Sequence, residues 1–501
     1  MKKTVLIFTI VSVFAKIIAF GRELVLSNYF GAGQVSDVFI LSMTLPVTIF
    51  GFIATGVTSG YIPMYQKAKV EEGREVALKF TNTVINALIV ICIAITAVYF
   101  IFPKQLLGIF ASGFDDKTLE LARQFTNFSI WATVFTAIVT VLSGYLQIND
   151  RIKITALVSV PLNLGVMITI IAAKIVGNIY ILPIGFLLSS LIQVVFLWIC
   201  SCKSGFKYSI LLEGRDKYFK MFMSCLAVLI LSGSLQQVNV LIDRTLATTV
   251  VVGGLSVYEY GNKISDFVMG LTIIPISAAV FPIMTKSKDD SKELCKILSD
   301  GIRLSSLIII PASVIMVMFA DVIVKILYYR GAFSLNDVIK TADVVKYYGV
   351  GLIAFSIREM IIKCFYAVGD TKSPMINSSI GVAINIVLNF ILLRLLGLGG
   401  LALATSISAV ICVVLLYRAL KKYLKDIDIK IILGRCVVLY LVAGVVCYVA
   451  LLIYKRVSGY IGGVIIPFVI SMVCFSVAYF IISIATGMIS VNEIKVLLKR
   501  K

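Results

Sequence analysis

The stretch FTNTVINALIVICIAITAVYFIF, residues 80–102, contains no charged residue and has the length of a membrane-spanning helix. A helix needs about 20 mainly apolar residues to cross the hydrocarbon core of a bilayer. The same rule, applied outward along the 501-residue chain, predicts about fourteen spanning helices. Their approximate limits are 4–29, 36–65, 80–102, 119–147, 152–173, 179–201, 219–246, 254–285, 298–326, 341–368, 373–396, 399–420, 431–454 and 460–488.

The composition excludes a water-soluble fold. Hydrophobic residues make up 60% of the chain and charged residues 14%, and the mean hydropathy is +1.03. Soluble domains are about half apolar and about a quarter charged. This chain therefore lacks the polar residues needed to cover a soluble body. We predict an all-α polytopic membrane protein whose function resides in the helices themselves.

Several kinds of chemistry have no support in the sequence. The chain contains no His, which excludes His-based triads and histidine zinc sites, and its Cys residues lack CxxC metal spacing. It has no GxxxxGKS/T, HExxH or GxSxG motif. We predict that the protein is not an enzyme and that the membrane potential or an ion gradient drives any uphill transport. The net charge of +20 fits the enrichment of Lys and Arg in loops at a membrane surface. No basic stretch carries the interleaved aromatic residues and groove-reading motifs that nucleic-acid binding would need.

Lys and Arg are concentrated at every second loop between the predicted helices. Cytoplasmic loops of membrane proteins are enriched in these residues, so the alternation predicts an even number of helices with both termini in the cytoplasm. The loop at 327–340 departs from this pattern, because it places Arg330 and Lys340 on the outer side. The first helix lacks a convincing cleavage site and is predicted to be retained. The basic loops lie around 2–3, 67–79, 151–153, 203–220, 286–296, 372, 418–425 and 495–501.

The chain resembles itself at a shift of about 220 residues. Arg22 corresponds to Arg244, and Asn163 corresponds to Asn385. The shift covers six helices, so the two halves share one orientation, as in transporters built from parallel repeats around a cleft. We predict an N-terminal lobe of helices 1–6 (1–205), a C-terminal lobe of helices 7–12 (206–425) and two further helices (426–501).

Ionisable residues inside the predicted helices are the first candidate site. A charge within the bilayer is costly, so each one is a functional candidate by default. A cleft containing Lys16, Arg22 and Lys263 suits an anionic headgroup, because Lys and Arg bind phosphate through charge-assisted hydrogen bonds. The alternative is interhelical ion pairing, of Lys16 with Glu23 and of Lys263 with Glu259 or Asp266. The residues concerned are Lys16, Arg22, Glu23 and Asp37, then Glu259, Asn262, Lys263 and Asp266, with a further cluster of Arg358, Glu359 and Lys363.

A second candidate site consists of oxygen-bearing side chains. Asn385 and Asn389 share one helix face, Thr405 lies on the next helix, and Asp243 lies on the seventh. Hard oxygen ligands without thiolate or imidazole suit a small hard cation such as sodium. The alternative is ordinary polar contact between helices. No other cofactor is predicted.

A set of motifs spread along the chain carries a family resemblance. The motifs are FAKIIAFGRE (14–23), FGAG (30–33), Ser36-Asp37, YGNKI (260–264), RGAF (330–333), FYAVGDTKSP (365–374) and GLGGLALATS (397–406). Together they resemble the MurJ (also called MviN) lipid II flippase family of the MOP exporter superfamily. The resemblance implies an inward-facing V of two six-helix lobes with a cationic cavity, and a groove for the lipid tail at the last two helices.

The resemblance also implies residue roles. Family cavity cations correspond to Lys16, Arg22 and Lys263, with Asp37 near the outer gate. A family site for a monovalent cation fits Asp243, Asn385, Asn389 and Thr405. The full predicted substrate-binding set is Lys16, Arg22, Glu23, Asp37, Asn163, Glu259, Asn262, Lys263 and Asp266.

Four positions depart from the family pattern. Many members have an Arg and a Glu in the second helix where this chain has Gly51 and Thr55. Lys also occurs at position 16, where the family usually has Arg, and at position 263, where it often has Arg; both changes keep the charge but lose the bidentate fork. These departures leave room for a related lipid-linked glycan as substrate.

The function predicted from these features is a flippase in the bacterial cytoplasmic membrane. It would move undecaprenyl-diphosphate-linked peptidoglycan precursor, lipid II, to the outer leaflet by alternating access. Its partners would be lipid II, membrane lipids and other cell-wall synthesis proteins. The first alternative is an exporter of another lipid-linked oligosaccharide, of capsule or O-antigen type. The second is an ion-coupled small-molecule exporter, against which a cationic cavity argues because it would repel cationic drugs.

Overall fold

The computed structural model describes residues 2–210, 216–424 and 429–486. Within these ranges all regular secondary structure is helical. The helices of the first half are α1 (Lys2–Phe30), α2 (Gln34–Glu71), α3 (Arg74–Ile101), α4 (Pro103–Phe110), α5 (Asp116–Ser129), α6 (Ala132–Ile148), α7 (Ile152–Ala156), α8 (Ser159–Val176) and α9 (Ile181–Lys203). Those of the second half are α10 (Lys217–Thr248), α11 (Gly254–Lys286), α12 (Ser291–Met318), α13 (Ala320–Tyr328), α14 (Leu335–Ala367), α15 (Lys372–Leu396), α16 (Leu398–Leu420), α17 (Ile429–Tyr460) and α18 (Ile465–Ala485).

The polytopic membrane class is confirmed. Among the described residues, 10 helices are long and apolar enough to cross a membrane, or 11 if α5 and α6 form one bent span. Three more helices also have the length to span, since α1 has 29 residues, α10 has 32 and α14 has 33. The number of fourteen spans stays a prediction.

Three predicted spans are not continuous helices, and in one of them, predicted at 152–173, a turn at Leu157 and Val158 separates α7 from α8. The span predicted at 298–326 breaks at Phe319, where α12 ends and the short α13 begins. The span predicted at 119–147 bends by 44° between α5 and α6. The prediction of single helices was wrong here, because an apolar run has the same hydropathy whether the helix is straight or broken. In α13 the buried residues Ala320, Val324 and Tyr328 recur every four positions, as in a helix with one buried face.

The backbone confirms the internal repeat. Left-handed backbone conformations occur in pairs about 220 positions apart, at Gly31 and Gly253, at Asp150 and Gly369, and at Gly177 and Gly397. The helix breaks also correspond, since α3 is followed by the short α4 and α12 by the short α13. The two halves therefore share a helix plan as well as motifs.

By packing, the chain divides into two compact units. Unit 1 comprises Met1–Ser256 with Arg330–Phe333, and unit 2 comprises Val257–Tyr329 with Ser334–Lys501. Helix α10 therefore packs with the first half of the chain, against α2. This division follows packing and is separate from the repeat-based boundaries at 205 and 425, which stay a prediction.

Each unit has its own anchoring contacts. In unit 1, the stacked rings of Tyr61 and Phe80 have centroids 5.8 Å apart, and the Tyr61 hydroxyl lies 2.9 Å from that of Thr81. In unit 2, α17 is joined to α12 by the hydroxyls of Tyr440 and Ser313, 3.0 Å apart. These contacts join α2 to α3 in unit 1 and α12 to α17 in unit 2.

Candidate functional site

Helix α1 places an arginine beside a buried carboxylate in unit 1. The Arg22 Nη2 atom donates to Glu23 Oε1, and Glu23 is only 3% exposed. The Nε atom of Arg22 is buried and has no hydrogen-bond partner among the described residues. Glu23 thus holds the guanidinium while leaving donor capacity for another anion. Lys16 is half-buried on the same helix.

Helix α8 supports α1, and it carries Asn163. Met167 of α8 lies next to Gly21 of α1. A β-carbon added at Gly21 would be 3.8 Å from the Met167 Cε atom. Asn163 is 4% exposed and its Nδ2 donates to the carbonyl of Ser159, 2.7 Å away in the same helix. Its amide donor is therefore engaged locally.

Asp37, in the first turn of α2, accepts hydrogen bonds from a distant segment of unit 1. The backbone N–H of Gly253 donates to Oδ2 at 2.8 Å, and the backbone N–H and hydroxyl of Ser256 donate to Oδ1, each at 2.7 Å. The carboxylate is 1% exposed. Three donors compensate for its burial, as a buried charge requires. Asp37 therefore fixes the start of α11 against the start of α2.

Two glycines permit close backbone contact beside Asp37. A Cβ at Gly253, whose φ is +83°, would lie 2.4 Å from the Ala32 carbonyl oxygen. A Cβ at Gly331, whose φ is +57°, would lie 2.1 Å from the Asn28 carbonyl oxygen. Any other residue would be both strained and obstructed at these positions. The segment 330–333 of the second half is thereby packed into unit 1.

An open recess of about 480 Å³ borders Asp37 in unit 1. At its rim Gln34 donates from Nε2 to the Thr118 hydroxyl at 2.8 Å. The side chain and backbone N–H of Thr118 hydrogen-bond Asp115 and lower the pKa of that exposed carboxyl. The lining is Gln34, Asp37, Gly113, Phe114, Asp115, Thr118 and Thr248, Thr249, Val250, Val251 and Val252.

The second group of predicted site residues lies on α11 in unit 2. The Lys263 Nζ atom is 3.7 Å from Glu259 Oε2 and 3.7 Å from Asp266 Oδ2. The Glu259 side chain is 5% exposed, whereas that of Asp266 is 61% exposed and that of Lys263 is 32% exposed. Lys263 thus lies beside both carboxylates named in the alternative interpretation, but within one helix rather than between helices, and its side chain stays partly exposed. Asn262 is half-buried beside it.

The predicted cation-site residues fall into both units. In unit 2, Asn389 Nδ2 donates to Asn385 Oδ1 at 3.0 Å, and Asn385 Nδ2 donates to the Thr405 hydroxyl at 3.3 Å. Asp243 is 6% exposed and belongs to unit 1. The amide and hydroxyl oxygens are hard donors of the kind that sodium accepts. The structure brings three of the four residues together.

Sequence reasoning missed one contact that bears on the family departures. A Cβ at Gly51 would lie 2.8 Å from Gln237 Cδ of α10. No motif or repeat marks Gln237, so only the packing shows that it occupies this space. A second contact, from Arg244 Nη1 to the Thr48 hydroxyl at 3.1 Å, involves a residue that the repeat had already marked as the counterpart of Arg22.

Comparison with known proteins decides the family. The family model described as "Lipid II flippase MurJ" matches residues 26–471. This chain belongs to the MurJ family. Members of this family are transporters rather than enzymes and reside in the bacterial inner membrane.

Individual MurJ relatives cover most of the chain. The probable lipid II flippase MurJ of Rickettsia prowazekii (strain Madrid E) is 27% identical over 412 residues, covering 81% of this chain and 80% of the relative. The corresponding protein of Thermotoga maritima is 26% identical over 440 residues, covering 87% of this chain and 89% of the relative.

Solved structures agree on the MurJ fold. A structure described as lipid II flippase MurJ in an inward closed conformation matches with a TM-score of 0.81 at 23% identity, covering 95% of this chain and 98% of that chain. An inward-facing multidrug resistance MATE family transporter of the MOP superfamily matches with a TM-score of 0.66 at 15% identity, covering 83% and 99%. The roles of the individual site residues stay predictions.

Proposed function

We propose that this protein is a lipid II flippase. It moves the undecaprenyl-diphosphate-linked peptidoglycan precursor from the cytoplasmic to the outer leaflet by alternating access, driven by the membrane potential or an ion gradient. The observation that carries the proposal is the MurJ family match over residues 26–471. Both termini lie in the cytoplasm in this proposal, as the basic loops indicate.

The proposed chemistry is recognition without bond making. Arg22 and Lys263 bind the diphosphate, because each is a cation within the membrane with capacity for an added anion. Glu23 and Glu259, both almost fully buried, hold these cations between transport cycles. Lys16, Asp37, Asn163, Asn262 and Asp266 complete the proposed binding set.

Depletion rescue tests the proposal. The gene should sustain growth when the host's own lipid II flippase is removed. Arg22→Ala and Lys263→Ala should each abolish rescue at normal membrane levels, because each removes a cation that the diphosphate contacts. Lys325→Ala on the short helix α13 removes a cation outside this set and should rescue fully. Full rescue by both site variants would exclude the assigned roles.

One observation favours a second substrate class. Gln237 fills the space beside Gly51, where many family members have an Arg. An altered headgroup contact there suits another undecaprenyl-diphosphate-linked oligosaccharide. If the chain restores surface export of a capsule or O-antigen unit but does not rescue lipid II depletion, this alternative replaces the first.

We further propose a sodium ion bound by Asp243, Asn385, Asn389 and Thr405. The donor set, which consists of oxygen-bearing side chains without thiolate or imidazole, supports it. Sodium should raise the thermal stability of the purified protein, whereas potassium should not. In Asp243→Ala the sodium effect should disappear, and an unchanged effect would rule out this site.

Other cell-wall synthesis proteins are proposed partners of the flippase, and nucleic acid is not a proposed partner.

A further inference from the structure

Helix α14 carries a charge cluster that the proposed binding set does not use. Arg358, Glu359 and Lys363 are all half-buried and share the less buried face of the helix, whereas Met360 and Ile361 between them are buried. Charged side chains in a membrane-spanning helix are costly unless they are paired or serve a ligand. Each member of this cluster therefore needs a partner.

Two of the three charges satisfy each other. The Lys363 Nζ atom lies 3.4 Å from Glu359 Oε1, one helical turn away. Lys363 also lies over the ring of Phe281 on α11, 5.9 Å from its centroid. These two residues form a neutral pair, so the positive charge of Arg358 remains.

Arg358 has an aromatic support but no acidic partner. Its guanidinium carbon lies 5.7 Å from the centre of the Phe355 ring, one turn earlier on the same helix. Within the part of the chain that the structure describes, no Asp or Glu lies within 4.0 Å of it. A guanidinium held over a ring keeps its planar donors available for a phosphate.

The register between α11 and α14 locates Arg358 within unit 2. Gly261 faces Val344, and Phe281 faces Lys363, so the two helices run parallel. Lys263 is then level with about residue 346, and Arg358 lies roughly 18 Å farther along the axis at 1.5 Å per residue. Beyond Arg358, α11 and α14 end at the basic loops around 286–296 and 372. Because basic loops are typical of the cytoplasmic side, Arg358 lies nearer the cytoplasm than Lys263 does.

We propose that Arg358 is a substrate-binding residue that contacts the diphosphate on the cytoplasmic side before Lys263 does. The inference rests on the proposed lipid II function and adds a residue to it. A diphosphate is far shorter than the separation of the two cations, so they act in succession. Arg358 therefore sets the affinity for incoming substrate, and Lys263 acts deeper in the membrane.

Initial rates of lipid II translocation in proteoliposomes, measured against lipid II mole fraction, test this order. Arg358→Ala should raise the half-saturating mole fraction about tenfold, the effect of losing one charge-assisted hydrogen bond, with little change in maximal rate. Arg358→Lys should fall between wild type and Ala. Arg394→Ala, which removes an exposed Arg from the last turn of α15, is the matched control and should change neither parameter.

A structural role would give a different result. Phe355→Leu removes the aromatic support but keeps the guanidinium, so it should shift half-saturation much less than Arg358→Ala does. Half-saturation unchanged in Arg358→Ala, or an equal shift in Arg394→Ala, would overturn the assignment. If Arg358→Ala does not accumulate, Arg358→Gln and Arg358→Lys provide the same comparison of charge lost and charge kept.

The two proposals fail in distinguishable ways. A wild-type protein that moves no lipid II contradicts the proposed function. In that case, thermal stabilisation of the full chain by inorganic pyrophosphate still tests Arg358. Stabilisation of wild type that is lost in Arg358→Ala supports an anion site, and equal stabilisation of both proteins rejects it.

Discussion

Asp37 shows how one carboxylate can hold two distant segments of the chain together. It lies in the first turn of α2 and accepts from backbone N–H groups of Gly253 and Ser256, more than 200 positions later. Charge-assisted hydrogen bonds to a buried carboxylate are among the stronger ones. A role of Asp37 near an outer gate stays a prediction, and the structure supplies the hydrogen-bond partners of this carboxylate within unit 1.

We expect Asp37→Asn to destabilise the protein by about 2 kcal/mol. The amide keeps the shape but directs an NH₂ group at a backbone N–H, which leaves buried donors unsatisfied. Denaturant unfolding of the purified protein in detergent measures the change. Asp116→Asn, at an exposed carboxylate of α5, should stay within about 0.5 kcal/mol of wild type. Equal losses in the two variants would contradict the role of the hydrogen bonds.

At the scale of elements, α2 and α10 approach closely because glycines line their contact. Added Cβ atoms would lie 2.8 Å from Gln237 Cδ at Gly51 and 2.6 Å from Leu226 Cδ1 at Gly56. Small residues at helix contacts let membrane helices pack at short range. This packing gives a physical reason for a glycine at position 51.

The contact predicts a compensating pair. Gly51→Arg should cost about 1–3 kcal/mol by overpacking, and adding Gln237→Ala should recover most of that loss, because the amide side chain is the obstacle. A double-mutant cycle on thermal stability measures the coupling. Gly108→Arg, where no atom lies within 4 Å of an added Cβ, is the control. Additive effects of Gly51→Arg and Gln237→Ala would show that Gln237 is not the obstacle.

At the scale of the whole molecule, the last two helices form an addition to unit 2. Their contacts to α12 include the Tyr479 hydroxyl donating to the Leu307 carbonyl at 3.3 Å and the hydroxyl pair of Tyr440 and Ser313. Elsewhere they expose large apolar side chains, such as Leu441 at 64% and Ile465 at 60%. The predicted repeat is complete without them, and a groove for the lipid tail at these helices stays a prediction.

Truncation after Lys425 should selectively weaken binding of long-chain lipid II. Burial of a polyprenyl tail is favourable by about 25 cal/mol per Å², and the truncated protein loses the surface that provides it. Binding of full-length lipid II and of a short-chain analogue to both proteins measures this selectivity. The short-chain ligand is the internal control for correct folding. If both ligands bind equally well to the truncated and intact proteins, the helices serve packing or dimerisation instead.

The sequence by itself determined the features that depend on composition and on neighbours along the chain. Continuous apolar runs specify membrane helices, and the shift of about 220 residues specifies two similar halves. The pairing of Lys263 with Glu259 and Asp266 was also predictable, because residues three and four apart share a helix face. For Glu23 the sequence suggested Lys16, whereas the structure shows Arg22 beside it.

Only the tertiary structure decided the contacts between distant residues. Hydropathy could not locate the break at Phe319, since a broken span is as apolar as a straight one. No pattern linked Asp37 to Ser256 or Gly51 to Gln237, because these contacts depend on how helices pack rather than on spacing along one helix. The sequence marked Arg358, Glu359 and Lys363 as a cluster, and the geometry showed that two of them pair. Among the described residues, that pairing leaves Arg358 without an acidic partner. The sequence could not show this, because which charges pair depends on the directions of their side chains.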